Sequence, residues 1–174
     1  YIIQDKKEYE TIKGHELGKN IRFVDLVGTF YVGFKLKNTS SPYIQKPMRQ
    51  AINYAIDKKR IIDEIFGGLA VEAKCIIPSG LIPCHHVAGY GYNPEKAKRI
   101  IREEGVDLTR PLVFLSGENP HPILKLVEED LKAIGITCRY EKVSRDKLSR
   151  ADELQEGYDM YFSGWYADTL DPSS

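Results

Sequence analysis

The segment Gly164-Trp165-Tyr166-Ala167-Asp168 places two aromatic rings and a carboxylate side by side at the end of an apolar run. That set of residues suits the capture of a cation. A cation moved from water into a closed cleft is costly unless a carboxylate and hydrogen-bond acceptors replace the water. A flat indole adds an apolar wall and some cation–π attraction. Residue types alone leave a simpler alternative open, in which Asp168 caps a turn and Trp165 fills the core. Cys84-His85-His86 invites a metal reading, with His121 or Cys75 as further ligands. Adjacent histidines diverge, and no C-x-x-C or H-x-x-x-H spacing is present, so an exposed polar loop is the plainer account. Catalysis fits poorly. Ser116-Gly117 and Ser163-Gly164 lack a G-x-S-x-G elbow, and no glycine-rich phosphate loop follows a strand. Glu103-Glu104 and Glu128-Glu129-Asp130 fall on polar helix faces and read as solvated surface.

The elements that position these groups follow from periodicity. Residues 8–12 suit a short helix. Residues 20–25 alternate polar and apolar as a half-buried strand does, and residues 29–36, richer in aromatic and β-branched side chains, read as a more central strand. Pro47 suits a helix's first turn. From there Met48, Ala51, Ile52, Ala55 and Ile56 make one apolar stripe. Asp57 is placed to cap a second helix, which Gly67-Gly68 ends. Residues 69–93 are broken by prolines and glycines. Asn93, Pro94 and Gly105 mark the start and stop of a helix. Then come a strand at 111–116, a helix at 123–134 ended by Gly135, a strand at 136–143, a helix at 146–154 and a strand at 158–163. That alternation predicts parallel βαβ pairing.

Arg49 sits at a helix start, where a cation opposes the dipole unless a carboxylate answers it, so a structural ion pair is expected there. Tyr31, Phe34 and Tyr54 read as core or cleft-floor residues. A disulfide between Cys75 and Cys84 would close a short loop rich in Pro and Gly, as an oxidising compartment permits. The alternative is that both, with Cys138, are free apolar fillers.

Lys+Arg and Asp+Glu both total 25, giving zero formal net charge. That balance offers no basic footprint for nucleic acid. No apolar run reaches the ~18 residues of a membrane-spanning helix. The first residues, Tyr1-Ile2-Ile3-Gln4-Asp5-Lys6-Lys7, do not read as a signal peptide.

From about Tyr31 onward the order of segments resembles the family-5 extracellular solute-binding proteins, the oligopeptide-, dipeptide- and nickel-type components of ABC importers. The matching pieces are Tyr31-Val32-Gly33-Phe34, Pro42-Tyr43 and Met48-Arg49-Gln50-Ala51-Ile52-Asn53-Tyr54-Ala55-Ile56-Asp57. Gly67-Gly68-Leu69-Ala70, Pro78 and Tyr92-Asn93-Pro94-Glu95-Lys96-Ala97 follow. Leu131-Lys132-Ala133-Ile134-Gly135-Ile136, Gly157-Tyr158-Asp159-Met160, Gly164-Trp165-Tyr166-Ala167-Asp168 and Asp171-Pro172 complete the set. Two departures stand out. Lys35 follows Phe34 where the family usually has Asn. Tyr161-Phe162-Ser163 lacks the arginine that helps some peptide-binding relatives hold a ligand carboxylate.

The resemblance implies an α/β fold, one lobe of a type II periplasmic-binding-protein-like architecture with a mixed or parallel sheet flanked by helices. Residues 1–174 would form a single lobe of a larger two-lobe protein, with 1–28 as its leading segment and the N-terminal lobe missing. The implied role is non-catalytic: the substrate-binding component of an ABC transporter, taking peptides or similar small solutes. Asp168 would pair with the ligand's ammonium group, and Trp165, Tyr166, Phe34 and Tyr31 would line the site. No cofactor, metal or nucleic acid is implied. The partners would be the ligand and an ABC permease in the membrane. The protein would be an extracytoplasmic monomer, periplasmic or lipid-anchored at the cell surface. A ligand-sensing domain of a transcriptional regulator and a nickel or metal-chelate-binding relative are the alternatives.

Overall fold

The computed structural model describes residues 6–21, 27–78, 81, 88–149 and 157–167. By internal contacts the chain falls into two compact units. One is drawn from residues 1–29, 58–88 and 165–174, the other from residues 30–57 and 89–164.

The larger unit is organised around one strand. We label the strands β1 (Gly28–Phe34), β2 (Leu112–Ser116), β3 (Cys138–Lys142) and β4 (Met160–Tyr166). The sheet order is β1-β4-β2-β3. β2 runs parallel to β3, with Leu112 opposite Cys138, and parallel to β4, with Phe114 opposite Met160. The Lys35 N–H donates to the Asp159 carbonyl (2.8 Å) and the Ala167 N–H to the Val27 carbonyl (2.9 Å), so β1 is antiparallel to β4. All five residues of β2 are buried. That is the mark of a parallel strand covered on both faces, and it explains why Leu-Val-Phe-Leu reads as an unbroken apolar run. The aromatic run at 29–36 reads in sequence as a more central strand than 20–25, but β1 stands at the end of the order and buries only Thr29. Aromatic and β-branched content marks a strand without saying whether both its faces are covered.

Helix boundaries follow local chemistry. In α4 (Pro94–Glu104) the Asn93 side chain accepts from the Lys96 N–H at 2.9 Å, and Gly105 closes the helix at φ +60°. α2 (Lys46–Ala55) packs against α4. Met48, Ala51, Ile52 and Ala55 are buried on α2, as are Ala97 and Ile101 on α4. The Asn93 N–H donates to the Tyr54 carbonyl at 2.7 Å and joins the two helices end to end. Arg49 has no ion pair among the described residues, contrary to expectation. It is only half-buried, so water can solvate the charge. α5 (Pro122–Ala133) connects β2 to β3 and buries Ile123, Leu124, Leu126, Val127, Asp130 and Leu131, so Asp130 is not the solvated surface residue expected from the sequence. α6 (Arg145–Ser149) begins the helix expected at 146–154, and the rest of that segment lies outside the described residues.

In the smaller unit, α1 (Lys6–Lys13) contacts α3 (Lys58–Ile65). α3 gives way to Gly67 and Gly68, both at positive φ. Asp57, the expected cap of α3, immediately precedes it in sequence but belongs to the larger unit, where its N–H donates to Asp130 Oδ2 at 2.9 Å. Asn20 closes a 3-10 helix, Glu16–Asn20, with Ile21 as its C-cap, and residues 22–25 of the strand expected at 20–25 lie outside the described residues. Cys75 is disulfide-bonded and Cys138 is free. Cys84 lies outside the described residues. No described helix is long and apolar enough to cross a membrane.

Candidate ligand-binding site

The entry of β4 is fixed by a buried carboxylate. Asp159 is fully buried. Its Oδ1 accepts from Arg110 Nη2 (3.0 Å) and Asn38 Nδ2 (3.2 Å), and its Oδ2 from Arg110 Nη1 (3.1 Å) and the Val113 N–H (2.8 Å). A carboxylate out of water needs this much compensation, and the forked guanidinium supplies two parallel bonds of it. Asn38 also donates to the Tyr158 carbonyl at 3.0 Å. The Tyr43 hydroxyl donates to the Arg110 carbonyl. Burial, with the Asp159 charge close by, pushes the Tyr43 phenol up to about 12. One aspartate thus holds the loop after β1 and the entry of β2 to β4. Lys35, the departure from the family pattern, is buried with its ammonium 5.3 Å from the Tyr158 ring centroid. The aromatic face replaces part of its lost hydration.

At the opposite, carboxyl end of β2 the larger unit opens into a pocket of about 140 Å³. Leu115, Leu124, Leu148 and Phe162 give it apolar walls, and Ser116, Asn119 and His121 border it. His121 accepts the Ile123 N–H on Nδ1 (3.3 Å) and so caps α5. Its ring lies 4.7 Å from Phe162, tilted 29°, and Phe30 lies 5.7 Å from Phe162 at 17°. In open α/β sheets, ligands bind in the crevice outside the carboxyl ends of the strands. His121 reads in sequence only as an optional metal ligand. Histidine is not a favoured capping residue, so His-Pro at a helix start carries a weak signal.

The residues expected to bind ligand are distributed as follows. Tyr31 and Phe34 are half-buried in the larger unit. The Tyr31 ring meets Tyr161 edge-on at 6.3 Å, and Tyr161 meets the buried Tyr158 at 6.4 Å. Trp165 and Tyr166 belong to the smaller unit and are 38% and 43% exposed, so neither is a core residue. Tyr166 lies across Gly28, where a Cβ would collide with its ring. Partial burial raises the Tyr166 phenol above its usual range. Asp168 lies outside the described residues, as do His85 and His86. The disulfide removes Cys75 as a thiolate ligand for a metal.

Comparison with known proteins first defines the class. The fold superposes on a peptide complex of the ABC transporter-associated periplasmic binding protein DppA from Helicobacter pylori with a TM-score of 0.71. Identity is 25%, covering 84% of this chain and 28% of that one. The particular family follows: the chain belongs to the bacterial extracellular solute-binding proteins, family 5 Middle, whose model matches residues 4–174. Heme-binding protein A of Haemophilus influenzae is 30% identical over 155 residues, covering 83% of this chain and 27% of that protein. The glutathione-binding protein GsiB of Salmonella choleraesuis is 25% identical over 160 residues, covering 87% and 31%. The chain therefore spans less than a third of the length of each of these three. They are binding proteins by name.

Proposed function

We propose that this chain serves in the substrate-binding component of an ABC importer, capturing peptides or similar small solutes outside the cytoplasm without catalysis. Its family membership along residues 4–174 carries the reading. Relatives named for heme, glutathione and peptide support a small-solute ligand and leave its class broad. In this reading the chain is one lobe of a two-lobe protein, which delivers its ligand to a membrane permease and is periplasmic or lipid-anchored. The Asp168 carboxylate receives the ligand's ammonium group, and Trp165, Tyr166, Tyr31 and Phe34 wall the site. The 140 Å³ pocket at the carboxyl end of β2 lies where an α/β sheet presents itself to ligand.

Calorimetry on the full-length protein tests the reading. A short peptide with a free amino terminus should bind, and its N-acetylated form should bind far more weakly. Asp168→Ala should cost about 2–3 kcal/mol, the worth of a charge-assisted hydrogen bond. Unchanged affinity in that variant would remove Asp168 from the site.

A further inference from the structure

We propose that residues 69–77 form a contact surface for the part of the full-length protein outside this chain, with Leu69, Val71, Ile76 and Ile77 packing on apolar side chains of the other lobe. The inference rests on the two-lobe reading above and specifies where the second lobe touches this one.

Exposure is the first argument. Leu69, Val71, Ile76 and Ile77 are 66%, 78%, 56% and 40% exposed. Large apolar side chains scattered singly over a surface need no explanation, but four within nine consecutive positions mark an interaction surface. The second argument is that the stretch is held in shape, although it contains no helix or strand. Gly67 and Gly68, at φ +61° and +81°, turn the chain out of α3, and the Gly68 N–H donates to the Ile62 carbonyl at 3.1 Å. Lys58 Nζ meets Glu72 Oε1 at 3.0 Å, Cys75 is disulfide-bonded, and Pro78 is buried just beyond the segment. A loop fixed at its start, middle and end loses little freedom when its side chains are covered, which favours binding.

Three observations select the occupant. Glu72 and Lys74 cancel, so the segment carries no net charge, whereas attraction to an anionic membrane needs a basic cluster. Four aliphatic side chains expose on the order of a few hundred Å², while a stable complex of separate proteins buries about 800 Å² on each partner. A patch that small holds a partner when the two are covalently linked, because the link keeps the effective concentration high. This chain spans 27% and 31% of the length of its heme-binding and glutathione-binding relatives. A protein of their size has more than enough further chain to supply the facing surface.

Photo-crosslinking of the full-length protein tests the proposal, with benzoylphenylalanine in place of Val71. That side chain is 78% exposed, so the larger group fits without disturbing the fold, and an unchanged melting temperature confirms it. Irradiation of the dilute monomer should join position 71 to a residue outside these 174, located by mass spectrometry of the digest. The same partner segment should be reached from position 69. Ile76→Asp should lower that yield about tenfold, because a carboxylate pressed on an apolar surface loses its hydration without replacement. Crosslinks confined to these 174 residues, crosslinks to an added peptide or to a second copy, or no crosslink at all, would overturn the proposal. Peptide affinity measured in parallel keeps the two readings apart. Binding that survives with no such crosslink removes the contact surface and leaves solute capture standing, and a crosslink without peptide binding does the reverse.

Discussion

The two ends of β4 differ in burial and in hydrogen bonding. The residue that enters the strand, Asp159, is fully buried and holds four hydrogen bonds from three residues. At the other end Trp165 and Tyr166 keep about two-fifths of their surface in water. The glycines of β1 repeat the contrast. Tyr161 lies over Gly33 and is hemmed in by Tyr31 and Tyr158, whereas Tyr166 lies over Gly28 with an exposed face. A strand anchored by a buried charge network at its entry can leave aromatic side chains exposed at its far end.

The largest expected effect lies at the buried end. Arg110→Ala leaves the Asp159 carboxylate without its cation. It should cost about 3 kcal/mol in urea unfolding, at the low end for a broken buried pair because the guanidinium is partly solvated. A loss below about 1 kcal/mol would mean that water already reaches Asp159. Next come the glycines. In Gly33→Ala the new Cβ would lie 2.5 Å from Tyr161 Cζ, and overpacking should cost about 2 kcal/mol. Gly28→Ala should cost less, because the exposed Tyr166 ring can swing outward. Equal costs would remove the distinction between the two ends. Trp165→Ala should cost about 1 kcal/mol or less in stability, as expected of a residue away from the core, while weakening ligand binding in the full-length protein. A large stability loss with unchanged affinity would make Trp165 structural.

The smallest effect near neutral pH is a titration. Burial, with Glu128 adding to it, pushes the Cys138 thiol from 9.0 up to about 12, and Tyr43 rises from 10.0 to about 12. Both groups are neutral when protonated and have raised folded-state values, so the fold binds their protons more tightly than the unfolded chain does. Their contribution is intact below about pH 9 and is lost as pH rises toward 12. Urea midpoints should stay level up to pH 9 and then fall. Cys138→Ala should flatten the first part of that fall, and an unchanged slope would show that another group controls it.

Much of this architecture was legible in the sequence because local chemistry decided it. Asn93-Pro94 and Gly105 marked α4 from residues that act within one helical turn, and the unbroken apolar run at 112–115 marked a strand. The Asp159 network was hidden for the opposite reason. Its partners Asn38 and Arg110 lie 121 and 49 residues away, and an aspartate before Met160 looks like any strand entry. The rank of β1 in the sheet depended on what covered it, which aromatic content does not encode. The Trp165-Tyr166 pair stands out by residue type, and the structure shows both rings exposed. The pocket under His121 and Phe162 does not stand out, because it forms only when β2, α5, α6 and β4 converge.

The most direct test of the account is a crystal structure of the full-length protein with a bound peptide. The account predicts the peptide's ammonium within about 3 Å of the Asp168 carboxylate, with Trp165 against the ligand. A bound ligand lying elsewhere, with Asp168 turned to solvent or capping a turn, would contradict it.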